Sequence, residues 1–138
     1  MAEHQDLADR TVLITGASRG LGRALAAAFA GAGARLALCA RSADLLTGLA
    51  RKLAAAGAEV EAAGADVARK DEMAPFIRRV EDRWGAIDVL INNASILGTR
   101  TPLADFPIEE WRTVIDVNLN GVFVVTRLVL PGMLRAGR

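Results

Sequence analysis

The chain has 138 residues, 52% hydrophobic and 24% charged, with a net charge of +1 and one cysteine. That length supports one domain whose core buries roughly two-thirds of the surface an unfolded chain exposes. The balanced charge argues against nucleic acid or an anionic membrane as partner, and a lone cysteine excludes a disulfide framework and suits a reducing compartment.

The leader, Met1 to Arg10, is polar and carries both charges, unlike a secretory signal. No stretch reads as long and apolar enough to span a bilayer, so the expectation is a cytoplasmic protein without a membrane partner. His4, the only histidine, lies in that leader. Termini are usually mobile, which argues against a metal or catalytic role for it, and no metal site is expected.

Thr11–Thr15 reads as a strand ending at Gly16. Leu21, Leu25, Ala28 and Phe29 then recur at helical spacing up to the stop signals Gly31 and Gly33. Arg35–Ala40 is a second strand, and Cys39 within it reads as a buried core thiol. Ser42 is placed to cap a helix with Leu46, Leu49 and Leu53 on one face and Gly57 as terminator. Glu59–Ala63 is a weaker third strand. Met73, Ile77, Val80 and Trp84 mark another helical face closed by Gly85, and Ile87–Ile91 is a fourth strand. Pro107 to Trp111 opens like a helix, with Glu109 and Glu110 complementing its dipole. The β-branched run Val122–Val125 favours a strand by propensity, but the apolar stretch is too long for one. One helix from about Ile108 to Leu134 is therefore expected. Being apolar all round, it needs cover on two sides: the sheet on one, a second subunit on the other. Met73, Met133, Trp84 and Trp111 read as core or interface residues.

Short apolar strands alternating with helices specify a parallel sheet covered on both faces. Right-handed crossovers leave few topologies, of which a three-layer, doubly wound Rossmann-type α/β sheet fits best. Here it would stop after the fourth strand and the long helix. Met1 to Arg10 would be a leader and residues 11–138 a partial dinucleotide-binding domain.

The first strand and first helix are joined by Thr15-Gly16-Ala17-Ser18-Arg19-Gly20-Leu21-Gly22. Gly16 lets the chain leave the strand sharply. Gly20 removes a side chain where a diphosphate must approach backbone amides, and Gly22 lets the helix pack close to the sheet. The helix N-terminus adds free donors and a partial positive charge. A glycine-rich turn without a ligand is the plainer alternative. An ATP- or GTP-type phosphate loop is disfavoured, because no Gly-Lys-Ser/Thr follows. After the second strand the chain reads Ala40-Arg41, with no acid before Asp44. An acid there would accept the ribose hydroxyls of NAD. Arg19 and Arg41 instead suit a 2′-phosphate, so NADP is favoured and NAD is the alternative. Asp66 could bond an adenine amino group or cap its own loop. Asn92 and Asn93 could bridge neighbouring strands and meet a cofactor, or simply form a turn. Asn118, in an apolar helix, requires hydrogen-bond partners, and a structural and a catalytic role are both open.

Taken together, Thr15–Gly22 in the form Thr-Gly-x3-Gly-x-Gly, Asp66-Val67, Trp84-Gly85, Asn92–Ala94 and Asn118 resemble the short-chain dehydrogenase/reductase family in order and spacing. The resemblance runs from about Asp9 to Arg138. It implies an NAD(P)-dependent oxidoreductase that reduces carbonyls or oxidises alcohols of small-molecule substrates, usually built as a homo-oligomer through the long helix. Gly16, Ser18, Arg19, Gly20, Leu21 and Gly22 would cradle the phosphates. Asp66 and Val67 would hold the adenine, and Asn93, Ala94 and Ser95 would flank the rest of the cofactor. Asn118 would be the tetrad asparagine that orders a proton-relay water. Ser95 departs from the family's usual glycine. The family's catalytic serine and Tyr-x3-Lys pair have no counterpart here, and the sequence contains no tyrosine. The expectation is thus a reductase fragment inactive on its own, the alternative being a non-catalytic NADP-binding or dimerisation module.

Overall fold

The computed structural model describes residues 7–138, so His4 and the first six residues lie outside the described residues. The elements are β1 (Thr11–Thr15), α1 (Gly20–Gly31), β2 (Arg35–Ala40), α2 (Ala43–Ala55), β3 (Val60–Gly64), α3 (Lys70–Trp84) and β4 (Val89–Ile91). A short 3-10 turn (Leu103–Asp105) follows, then α4 (Ile108–Ile115), a π-helical turn (Asp116–Asn120) and α5 (Gly121–Ala136). The four strands form one parallel sheet in the order β3-β2-β1-β4.

Alternation along the central strands sorts the core into two layers. Leu13, Ala37 and Cys39 face one way, against Met73, Phe76, Ile77 and Val80 of α3 and Val125 and Val129 of α5. Val12, Ile14, Leu36 and Leu38 face the other, against Ala26 of α1 and Leu46, Leu49 and Leu53 of α2. A period of two along each strand therefore feeds two helical layers, the three-layer α/β fold the pattern predicts. Every residue of β1 is buried, as a strand covered on both faces requires. Cys39 is fully buried, and its thiol is pushed up to about 12 by that burial, against a lowering contribution from the Gly16 backbone. It is a core residue, protonated at neutral pH.

Several boundaries and caps differ from expectation. The fourth strand begins at Val89, two residues later than predicted. Ile87 is still fully buried, and the Asp88 amide donates to Thr11 O, so the chain reaches the sheet before the parallel register starts. Ser42 stands at the N-cap of α2 but makes no side-chain cap bond. The buried face of α1 runs through Gly22 and Ala26, with Leu25 and Phe29 partly covered, while Leu21 is 67% exposed. Trp84 and Met133 pack on the core. Trp111 is exposed and meets Phe106 edge to face at 6.4 Å.

The last helix corrects a second expectation. Ile108–Ala136 is continuous and, by length and composition alone, long and apolar enough to cross a bilayer. The expectation that no stretch is long and apolar enough to span a bilayer does not hold for this helix. One stripe, Val117, Gly121, Val125, Val129 and Gly132, is buried, where Gly121 abuts the Val67 side chain. Leu119, Phe123, Leu130 and Leu134 are exposed on the remainder.

The sheet is pinned at the strand end remote from Gly16. Asp88, with a side chain only 5% exposed, accepts the Thr11 amide at 2.9 Å and pairs with Arg10 and Arg138. Burial pushes its carboxyl up, but the Thr11 amide and the two guanidinium groups outweigh it, and the net shift is downward. A depressed folded value means the contribution is complete above the ordinary aspartate value of about 3.9 and is lost as pH falls through the folded value below it. Asp88→Asn is expected to lower stability by about 1.5–3 kcal/mol at neutral pH. In urea melts that deficit should narrow from about pH 4 downward. A deficit that stays constant to low pH would show that Asp88 contributes through packing alone.

Candidate functional site

In a parallel sheet all strands end on the same side, and here the C-terminal ends open on a cleft of about 500 Å³. The sheet order fixes what lies where. Gly16, after β1, is central; Arg41 and Asp66, after β2 and β3, lie to one side; Asn93, Ala94 and Ser95, after β4, lie to the other. A ligand bridging the cleft must cross the β1–α1 turn.

The turn is shaped by contacts that tolerate no side chain. Gly16 has φ +64°, and a Cβ there would sit 2.7 Å from Ala94 Cα. A Cβ on Gly22 would sit 2.3 Å from Gly16 O and 2.6 Å from Asn93 Nδ2. Gly22 therefore lets the start of α1 pack closely on its own turn and on the loop after β4. Gly20 is the opposite case: at φ +55° its missing Cβ would point into open space.

Asn93 binds the two sides of the turn together. Its Nδ2 donates to Thr15 O and Gly16 O, both at 3.1 Å, while its amide and that of Ala94 donate to Thr15 Oγ1 at 3.0 Å. The bridging alternative for Asn93 is thus what the geometry contains. Thr15, 1% exposed, is a latch the sequence reading passed over, since a threonine in a strand carries no signal of its own. Asn92 donates to Thr126 Oγ1 on α5.

Arg19 stands at the N-cap of α1 in extended backbone, and no side chain caps that helix. The first amides of a helix have no intrahelical acceptor, so those around Gly20 to Gly22 point outward at the positive end of the dipole. Ser18 is largely buried and lines the cleft, as do Leu21 and Val67. Neither Arg19 nor Arg41 forms an ion pair among the described residues, and both line the cleft. Asp66 Oδ1 accepts the Ala68 amide at 2.9 Å, so this acid closes its own turn while also bordering the cleft. Ser42, Ala65, Ile96 and Val117 line the cleft as well. They have no motif to announce them and are brought in by the chain path.

Asn118 is held in the π-helical turn and clamps the loop after β4. Its Oδ1 accepts the Ile96 amide at 2.9 Å and its Nδ2 donates to Ile96 O at 2.7 Å. Both ends of the amide thus hold the loop, which leaves one Nδ2 hydrogen and one Oδ1 lone pair for a further partner. The π turn itself left no trace in the sequence pattern. No metal-binding group of histidine, cysteine or acid side chains occurs among the described residues.

The short chain dehydrogenase family model matches residues 10–138. A short chain dehydrogenase/reductase from Macrophomina phaseolina, dpmpG, is 42% identical, the match covering 96% of this chain and 77% of that protein. A 3-oxoacyl-[acyl-carrier-protein] reductase from Synechocystis is 40% identical, over 94% of this chain but only 52% of its own length. Among solved structures, a metagenomic short-chain oxidoreductase in complex with NADP superposes with a TM-score of 0.90 at 36% identity, covering 96% of this chain and 60% of that one. The chain thus spans little more than half of the bacterial reductase and of the solved relative.

Proposed function

The chain belongs to the short-chain dehydrogenase family, and on that premise we propose that residues 11–138 are a dinucleotide-binding unit that holds NADP. The observation that carries the reading is the β1–α1 turn, where Gly16, Ser18, Arg19 and Leu21 line the cleft at the uncapped start of α1. The diphosphate rests on the amides from Ser18 to Gly22, where a partial positive charge favours it. Arg19 and Arg41 take the adenosine 2′-phosphate through their planar donors. Asp66 and Val67 flank the adenine. Asn93, Ala94 and Ser95 border the nicotinamide half, with Asn93 acting through the shape it gives the turn. The dinucleotide, when bound, supplies hydride to a carbonyl or accepts it from an alcohol. Asn118 positions Ile96 and orders a water near the reacting group.

Reduction also needs an acid to protonate the developing alkoxide. The sequence has no tyrosine, and Cys39 is buried in the core. Residues 11–138 by themselves are accordingly expected to bind the cofactor without turning it over. The parent activity is reduction of a small carbonyl compound or the reverse oxidation of an alcohol, in the cytoplasm. The exposed stripe of the long helix, with Phe123 65% exposed, favours association with a second copy over a bilayer, because the opposite stripe already packs in the core.

Calorimetric titration tests the reading. NADPH is expected to bind, and about tenfold or more tightly than NADH, the equivalent of about 1.4 kcal/mol from the 2′-phosphate. Absorbance at the NADPH band should stay flat with any carbonyl acceptor. Binding of neither dinucleotide would overturn the cofactor assignment, and steady NADPH consumption would overturn the non-catalytic one.

A further inference from the structure

We infer that Glu110, which touches no part of the cleft, is a positioning residue for the wall on which the nicotinamide half of the cofactor lies. This role rests on the dinucleotide reading above. The segment from Asn92 to Pro102 has no regular structure, and such a stretch is ordinarily mobile. Here it is fastened at successive points to one helix. Asn118 holds both backbone groups of Ile96. Gly98 follows at φ +75°, where a Cβ would sit 2.8 Å from Phe106 Cζ and 3.2 Å from Val114 Cγ2. Glu110 then takes Thr99 twice on one carboxylate oxygen, from the amide at 2.6 Å and from Oγ1 at 2.9 Å.

The consequence follows from the sheet order. Ser95 and Ile96 line the cleft on the β4 side of the turn, across from Arg41 and Asp66 on the β2–β3 side. The half of a dinucleotide that does not lie over β2 and β3 must meet this wall. Asn118 fixes its near end; Glu110, two helical turns earlier on the same continuous helix, fixes its far end. The bonds are charge-assisted, the stronger kind. With both anchors set, the wall is ordered before the ligand arrives, and no binding energy is spent on ordering it.

Two variants and two ligands separate this role from general stability. Adenosine 2′,5′-bisphosphate carries the adenine half of the cofactor and no nicotinamide. Glu110→Ala is expected to weaken NADPH about tenfold while changing the bisphosphate less than about twofold. Amide exchange at Ile96 and Thr99 should quicken in the same variant. Glu110→Gln keeps an acceptor oxygen in place and should retain most of the NADPH affinity. Equal weakening of both ligands by Glu110→Ala, unchanged NADPH affinity, or a glutamine variant as impaired as the alanine one would each overturn the role. A parent chain that binds neither ligand overturns the dinucleotide reading and this role with it. That outcome is distinct from a failure of Glu110 alone, in which the parent binds both ligands and the alanine variant matches it.

Discussion

Gly22→Ala is expected to cost about 2–3 kcal/mol of stability and to weaken NADPH by more than about tenfold. The added methyl has nowhere to go. It would stand 2.3 Å from Gly16 O and 2.6 Å from Asn93 Nδ2, and 3.0 Å from Ala17 Cα. Two of these are backbone atoms of the turn itself, and the third belongs to the side chain that bonds Thr15 O and Gly16 O. Relief requires α1 to move away from the β1 end, and the amides that face the cleft move with it. For a domain of this size the loss corresponds to a fall in thermal midpoint of roughly 4 °C per kcal/mol. Gly20→Ala is the informative contrast, since nothing lies within 4 Å of its Cβ position. Its stability should drop by only about 1 kcal/mol, from the strain of positive φ. Its affinity for NADPH should nevertheless fall, because the methyl projects into the space over the turn. A Gly22→Ala chain with the parent's midpoint and affinity would remove the steric basis of the cradle.

The second large effect is on cofactor choice. Replacing Arg19 and Arg41 together by alanine is expected to lower NADPH affinity by about a hundredfold, or some 2.7 kcal/mol, while leaving NADH nearly unchanged. Both guanidinium groups are exposed and have no partner among the described residues, so neither substitution strands a buried charge. What is lost is attraction for the additional phosphate. That attraction is screened, and the parent's preference for NADPH should itself shrink as salt is raised from about 0.05 to 0.5 M. The double variant is read by titrating both dinucleotides at each ionic strength. An equal loss for NADH and NADPH would place the two arginines on the shared diphosphate and not on the 2′-phosphate.

The sequence by itself determined the layers and pointed to the β1–α1 turn as the candidate site. Apolar runs such as Leu36–Ala40 are too short for helices and too uniformly apolar for a half-solvated strand, and that fixes a parallel sheet. The glycines from Gly16 to Gly22 mark the turn proposed to meet a ligand. Those are local facts of chain stiffness and periodicity, and they survive folding. Tertiary structure alone decided what each polar group is for. Asn93 after a strand and Asn118 within a helix each had two roles open in the sequence; the approach of Thr15 and of Ile96 makes one a bridge and the other a clamp. Glu110 was read only as a favourable charge at a helix start, and its hold on Thr99 comes from a loop eleven residues earlier folding back upon it. A hydrogen bond is specified by the positions of two groups, and a sequence lists only one position at a time.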